Sequence, residues 1–148
     1  MKPESSNSRI VINPSVQIDT GEILDRIMLP YGIGIDCHSK FYQLYLMYEK
    51  VFGSKIYNKY ELTFDAIPSE IEDAYKKVYE LLYENCEDFH NNAQPLHYTL
   101  ESTGPYHRPL ILIWGGDPCI VNPLLATPSR RKTDKLDAKL LCNYDITG

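Results

Sequence analysis

No stretch of this 148-residue sequence approaches the ~18 consecutive apolar residues that a membrane-spanning helix needs, so no membrane span is expected. Cysteine is sparse. Cys37, Cys86, Cys119 and Cys142 form no Cys-x-x-Cys pair, and their spacings of 49, 33 and 23 residues suit no common zinc pattern. Four scattered cysteines read as free thiols in a reducing compartment. The opening MKPESSNS is polar and lacks an apolar core of signal length. A soluble, cytoplasmic protein is therefore the expectation. There is no internal repeat, no low-complexity linker and no His-x-x-x-His pair. Basic residues are also in deficit, 15 against 20 acidic, for a net charge of -5. That balance counts somewhat against a dedicated nucleic-acid binder.

What is present is a globular composition, 43% hydrophobic with 12 tyrosines, over a length that suits one domain with a real core. Residues 1–8 read as disordered. RIVINPSVQID has the character of an edge strand, and TGEILDRIMLP that of a turn or short helix. YGIGID (31–36) is a short apolar run suited to a buried strand. KFYQLYLMYEK carries apolar and aromatic residues on both faces, as a central strand does. GSKIYNKYELTF reads as a third strand after a turn near Gly53-Ser54.

The clearest helix is IPSEIEDAYKKVYELLYENCEDF. Ile71, Ala74, Tyr75, Val78, Leu81, Leu82 and Phe89 keep a 3.6-residue period, and Pro68 sits near the start, where proline is tolerated. PLHYTLE then reads as a strand ending at Glu101, STGPYHRPLILIW as a turn and short helix, and PCIVN as a short buried strand. TDKLDAKLLCNY opens a last helix. Three neighbouring strands followed by alternating helix and strand predict an α/β fold, a mixed sheet with helices on both faces.

Four carboxylates stand at informative places. Asp36 ends the first of these strands and Glu101 the fourth, and sites in open α/β sheets form beyond the carboxyl ends of strands. Asp134 and Asp137, three apart at the start of the last helix, could share a helical face. Such a cluster suits two-metal phosphoryl transfer, because hard cations such as Mg²⁺ take carboxylate oxygens and a pair of ions ~3.5–4 Å apart can serve both nucleophile and leaving group. Each residue also has a plainer role. An aspartate at a strand end is often a turn former. An Asp-x-x-Asp at a helix start is a capping arrangement, and on spacing alone the cap is the stronger reading. His38 and His107 lie beside these residues as ligand, hydrogen-bond donor or packing candidates. Trp114 and the tyrosines could stack bases, but their apolar-face positions favour the core. The run Arg130, Arg131, Lys132 could hold phosphates or form a solvated loop.

Taken in order, GIDCHSK with Asp36, LESTGPYHRPL with Glu101, IVNP at 120–123 and KTDKLDAKLL with Asp134 and Asp137 resemble the N-terminal domain of the insertion-sequence-110 family of transposases. These are the DEDD transposases related to pilin-gene invertases, and the resemblance covers about residues 31–144. It implies a RuvC-like version of the ribonuclease-H-like fold. It implies that Asp36, Glu101, Asp134 and Asp137 form a tetrad holding Mg²⁺ or Mn²⁺. It further implies DNA as substrate, a structured guide RNA as a partner, and a homo-oligomer of the full-length protein. The family carries a second, C-terminal domain with a serine important for strand exchange. This sequence stops at Gly148 before such a domain, so the expected division is an N-terminal extension (1–30) and a RuvC-like domain (31–148). The stretches from Leu110 to Val121 and from Asn122 to Lys132 are shorter than is usual there.

Two rival readings follow from the same residues. One is a non-catalytic nucleic-acid-binding fragment of such a transposase. The other is half of an actin-like or sugar-kinase ATPase, suggested by GIGID before a hairpin and opposed by the absence of a second glycine-rich phosphate loop.

Overall fold

The computed structural model of the chain describes residues 9–12, 16–17, 28–101, 104–121 and 137–147. Its strands are β1 (Arg9–Ile12), β2 (Val16–Gln17), β3 (Tyr31–Cys37), β4 (Phe41–Glu49), β5 (Ile56–Asp65), β6 (His97–Glu101) and β7 (Asp117–Val121). The helices are α1 (Pro68–Asn85), α2 (Glu87–Asn91), α3 (Arg108–Trp114) and α4 (Ala138–Ile146). The five main strands lie in the order β5-β4-β3-β6-β7, and β1 and β2 both pair antiparallel along the outer edge of β5. β3, β4 and β5 form an antiparallel meander, whereas β6 and β7 run parallel to β3. The fold is thus a mixed α/β sheet, and the strands of the N-terminal extension are part of that sheet.

Side-chain alternation divides the sheet into two faces. Ile33, Ile35, Cys37, Tyr42, Leu44, Leu46, Tyr60, Leu62, Phe64, Tyr98 and Leu100 meet α1 through Ile71, Ala74, Val78 and Leu82 in the larger core cluster. Those helical residues recur at three- and four-residue steps and form one apolar stripe. Trp114 at the end of α3 joins this core and donates from Nε1 to the carbonyl of Ile71 at 2.8 Å. The opposite face of β3, β4 and β6 receives α4, with Tyr45, Met47 and Tyr57 packed against Cys142 and Ile146. Covered on both faces, every residue of β3 is buried.

The glycines of YGIGID explain how α4 comes so close. Gly32 and Gly34 alternate on the face that α4 covers. A Cβ on Gly32 would lie 2.5 Å from Ile146 Cβ, and one on Gly34 would overlap the Ala138 carbonyl and the Cys142 amide. The helix therefore rests on strand backbone, a contact that only glycine permits. The Cys142 thiol donates to the Gly32 carbonyl at 3.1 Å, and burial raises its pKa well above the ordinary thiol value.

Asp145 completes the contact. Its carboxylate is buried and accepts from the Ile33 amide at 2.8 Å, the Thr99 hydroxyl at 2.9 Å and His97 Nδ1 at 2.7 Å. It therefore ties α4 to β3 and β6 together. The His97 ring is stacked on Tyr31 at 4.0 Å, which fixes the imidazole from a second side.

The structure departs from the sequence-based expectation in two elements. The long helix is broken at Cys86, whose backbone is extended (φ -108, ψ 109). The break turns Phe89 back into the core, and the freed Glu87 amide donates to the Lys50 carbonyl. PCIVN is not a buried strand. Among the described residues β7 pairs with β6 alone, at the end of the sheet order, and Ile120 is 48% exposed.

Two measurements test this packing. Gly34→Ala is expected to cost about 2–3 kcal/mol by overpacking, and Asp145→Ala about 3 kcal/mol by orphaning the buried Ile33 amide. Both would appear as lower urea midpoints, and unchanged midpoints would contradict this account of α4. The buried tyrosines set an alkaline limit. Burial raises the phenols of Tyr42 and Tyr60 from 10.0 to about 12. Their neutral forms are favoured in the fold, so their contribution is complete below pH 10 and is lost as pH rises towards 12. Unfolding followed by circular dichroism should show stability falling across that window, and a flat profile would be inconsistent with it.

Candidate functional site

Asp36 is the last residue but one of β3, and Glu101 ends the adjacent β6. The parallel register pairs Gly34 with Thr99 and Ile35 with Leu100, so Asp36 and Glu101 are each one residue beyond the last pair. Alternation puts both on the α4 face, because Ile35 and Leu100 point into the opposite core. The structure therefore brings these two together at one end of the sheet, and both are buried, at 5% and 4% exposure. Two carboxylates side by side in a dry position repel one another, and donors or cations offset that repulsion.

One donor is His38. It lies two residues beyond Asp36, at the entrance to the tight turn joining β3 to β4, and its amide donates to the Phe41 carbonyl at 3.0 Å. Its Nε2 lies 3.0 Å from Asp36 Oδ2.

α4 approaches from the same end. Ile146 lies over Gly32, and Ala138 over Gly34, so the helix N-terminus points towards the Asp36 end of β3. Asp137 caps that terminus. Its backbone is extended (φ -84, ψ 169), and Oδ1 accepts from the Leu140 amide at 2.8 Å. The cap is therefore Asp137, and the described helix begins only after it. Asp137 thus stands just before the described helix rather than on its face. Asp134, Arg130, Arg131 and Lys132 all lie outside the described residues.

A groove of about 320 Å³ opens beside this helix terminus, lined by Gln43, Tyr45, Lys59, Glu61, Thr63 and Asp137 among others. Gln43 is the register partner of Asp36, so the groove starts next to the carboxylate end and runs across β4 and β5. Its charges are mixed. Lys59 lies 4.0 Å from Glu61 and 5.8 Å from the Tyr45 ring centre, and burial lifts the Tyr45 phenol to about 12.

Other named residues fall elsewhere. His107 precedes α3 and is half-buried, and its Nδ1 is buried without a hydrogen-bond partner among the described residues. The neighbouring Tyr106 carbonyl accepts from the Tyr42 hydroxyl at 2.8 Å, which fastens this turn over the start of β4. Trp114 is core, as its apolar position suggests. Among the described residues, no three His, Cys, Asp or Glu side chains form a group that could hold a metal ion. No described helix is long and apolar enough to cross a membrane.

Sequence reading passed over Asp145 and His97, which decide where α4 sits. One signal was present: Asp145 follows Leu141 and Cys142 by four and three residues, an acid within the buried stripe of the helix. Comparison with known proteins adds no assignment, since no protein-family model and no characterised protein matches the chain.

The cap can be tested alone. Asp137→Ala is expected to lose about 1 kcal/mol of helix stability and to speed amide exchange at Leu140. Unchanged exchange there would show that the cap contributes nothing.

Proposed function

We propose that the chain is a RuvC-like, ribonuclease-H-like domain of the insertion-sequence-110 transposase kind. In this reading it acts on DNA by divalent-metal-dependent phosphoryl transfer and is steered in the full-length protein by a structured RNA. One observation carries the reading: Asp36 and Glu101 emerge side by side from adjacent parallel strands, on the face towards which α4 directs its capped N-terminus. The strand order supports it as well, since an antiparallel meander of three strands followed by two parallel strands is the arrangement expected of that fold.

The donor set suits a hard cation. Asp36 and Glu101 are carboxylates in a buried position, where Mg²⁺ or Mn²⁺ would offset their repulsion. The resemblance adds Asp134 and Asp137, and Asp137 lies towards the Asp36 end of the sheet. When bound, such ions supply Lewis-acid activation of an oxygen nucleophile and stabilisation of the leaving oxygen. The protein's own part is to hold Asp36 and Glu101 rigidly on paired strands and to bring the α4 terminus over them. Arg130, Arg131 and Lys132 would contact backbone phosphates.

A second reading is a non-catalytic nucleic-acid-binding fragment of such a transposase. It is favoured by the commitment of Asp137 Oδ1 to its cap.

Calorimetric titration with Mn²⁺ tests the first reading. Wild type should bind, and Asp36→Asn and Glu101→Gln should each weaken binding by about tenfold or more. Equal binding by all three proteins would refute the metal site. A parallel titration with branched DNA and structured RNA should show affinity falling as salt rises, with the salt slope reduced by about one for each of Arg130, Arg131 and Lys132 replaced by alanine. Metal-independent but salt-sensitive binding would favour the second reading.

A further inference from the structure

His38 is a half-exposed histidine at a strand end, and most such residues are surface residues. Three observations set this one apart. It is two residues beyond Asp36, in the turn that follows β3. Its Nε2 lies 3.0 Å from Asp36 Oδ2, while the side chain keeps 30% of its surface exposed. Its ring is stacked on Phe41 at 4.3 Å and 19°, across a turn that the His38 amide closes by donating to the Phe41 carbonyl. The backbone of His38 is thus held by the turn, and its imidazole by an aromatic face and by the carboxylate. In the tautomer that carries its proton on Nε2, the ring donates to the carboxylate.

We propose that His38 is a positioning residue for Asp36, fixing the orientation of its carboxylate at the strand end where Glu101 also emerges. The proposal rests on the metal-site reading of Asp36 given above. A carboxylate free to rotate would lose conformational entropy on taking up a cation. One held by a second hydrogen-bonding group is already set, and loss of such a group typically weakens metal affinity about 10–100-fold. The Phe41 stack supplies the rigidity, and Nε2 supplies the direction.

Two variants separate the donor from the ring. His38→Phe keeps an aromatic ring to stack on Phe41 but removes the donor. His38→Gln keeps an N–H near the position of Nε2 but removes the stack. Mn²⁺ affinity of the full chain, read by calorimetry or by electron paramagnetic resonance, should fall about tenfold or more in His38→Phe and stay within about threefold of wild type in His38→Gln. Unfolding midpoints measured alongside show that each titration is made on folded protein. Equal losses in the two variants would overturn the proposal by assigning the effect to ring packing. So would wild-type affinity in His38→Phe, and if Asp36→Asn lost binding in the same series the metal site itself would stand. Wild-type affinity in Asp36→Asn would instead remove the metal site, and the role of His38 with it.

Discussion

The arrangement depends on one close contact, the seating of α4 on the bare backbone of β3. Gly32 and Gly34 remove the side chains that would otherwise hold helix and sheet apart. A nine-residue helix has little intrinsic stability, so its place is set by tertiary contacts rather than by its own propensity. Asp145 supplies the directional part of that contact, with three donors from two strands around one buried carboxylate. Packing alone would let the helix slide along the glycine track, whereas the hydrogen bonds select one position. That position brings Asp137 to the end of the sheet where Asp36 and Glu101 emerge.

The protein pairs a buried aspartate with a histidine at both ends of this sheet face, with different consequences. Around Asp145 the backbone amide and the Thr99 hydroxyl accompany His97, and the carboxylate is enclosed between helix and strands. That is how a buried charge is made tolerable in a structural role. Around Asp36 the histidine comes from a turn at the sheet's margin, and a second carboxylate stands on the neighbouring strand. Two acids in one buried place make a poor structural device, because their repulsion works against the fold. The same geometry is useful where a cation has to be held. The pairing of two carboxylates on neighbouring strands makes the Asp36 end the candidate site.

The groove beside the α4 terminus follows from the same geometry. α4 packs over β3, β4 and β6, so the outward residues of β5 on that face, Lys59, Glu61 and Thr63, remain half-exposed. The alternation along β5 records where the helix stops covering the sheet. The larger core on the other face has no such gap along β5, because α1 runs for 18 residues beneath Tyr60, Leu62 and Phe64.

Much of the architecture was legible in local pattern. The period of Ile71, Ala74, Val78 and Leu82 specified α1, the two-sided hydrophobicity of β4 marked it as interior, and Asp36 and Glu101 stood at strand ends by their place after apolar runs. These features follow from periodicity and composition, which a chain carries residue by residue. The adjacency of Asp36 and Glu101 did not, because it needs β6 to pair with β3 across more than sixty residues of sequence. Neither did the break at Cys86, which arises from the Lys50 carbonyl and the pull of Phe89 into the core, nor the exposure of β7, which depends on its being at the sheet's edge. The choice of Asp137 as the cap, and of Asp145 as the pin beneath it, was likewise made by the glycine track on β3. The sequence by itself determined which segments become strands and helices and which acids stand at their ends. Only the tertiary structure decided which of those acids meet, because a carboxylate's neighbours are set by strand pairing and helix docking, not by its place along the chain.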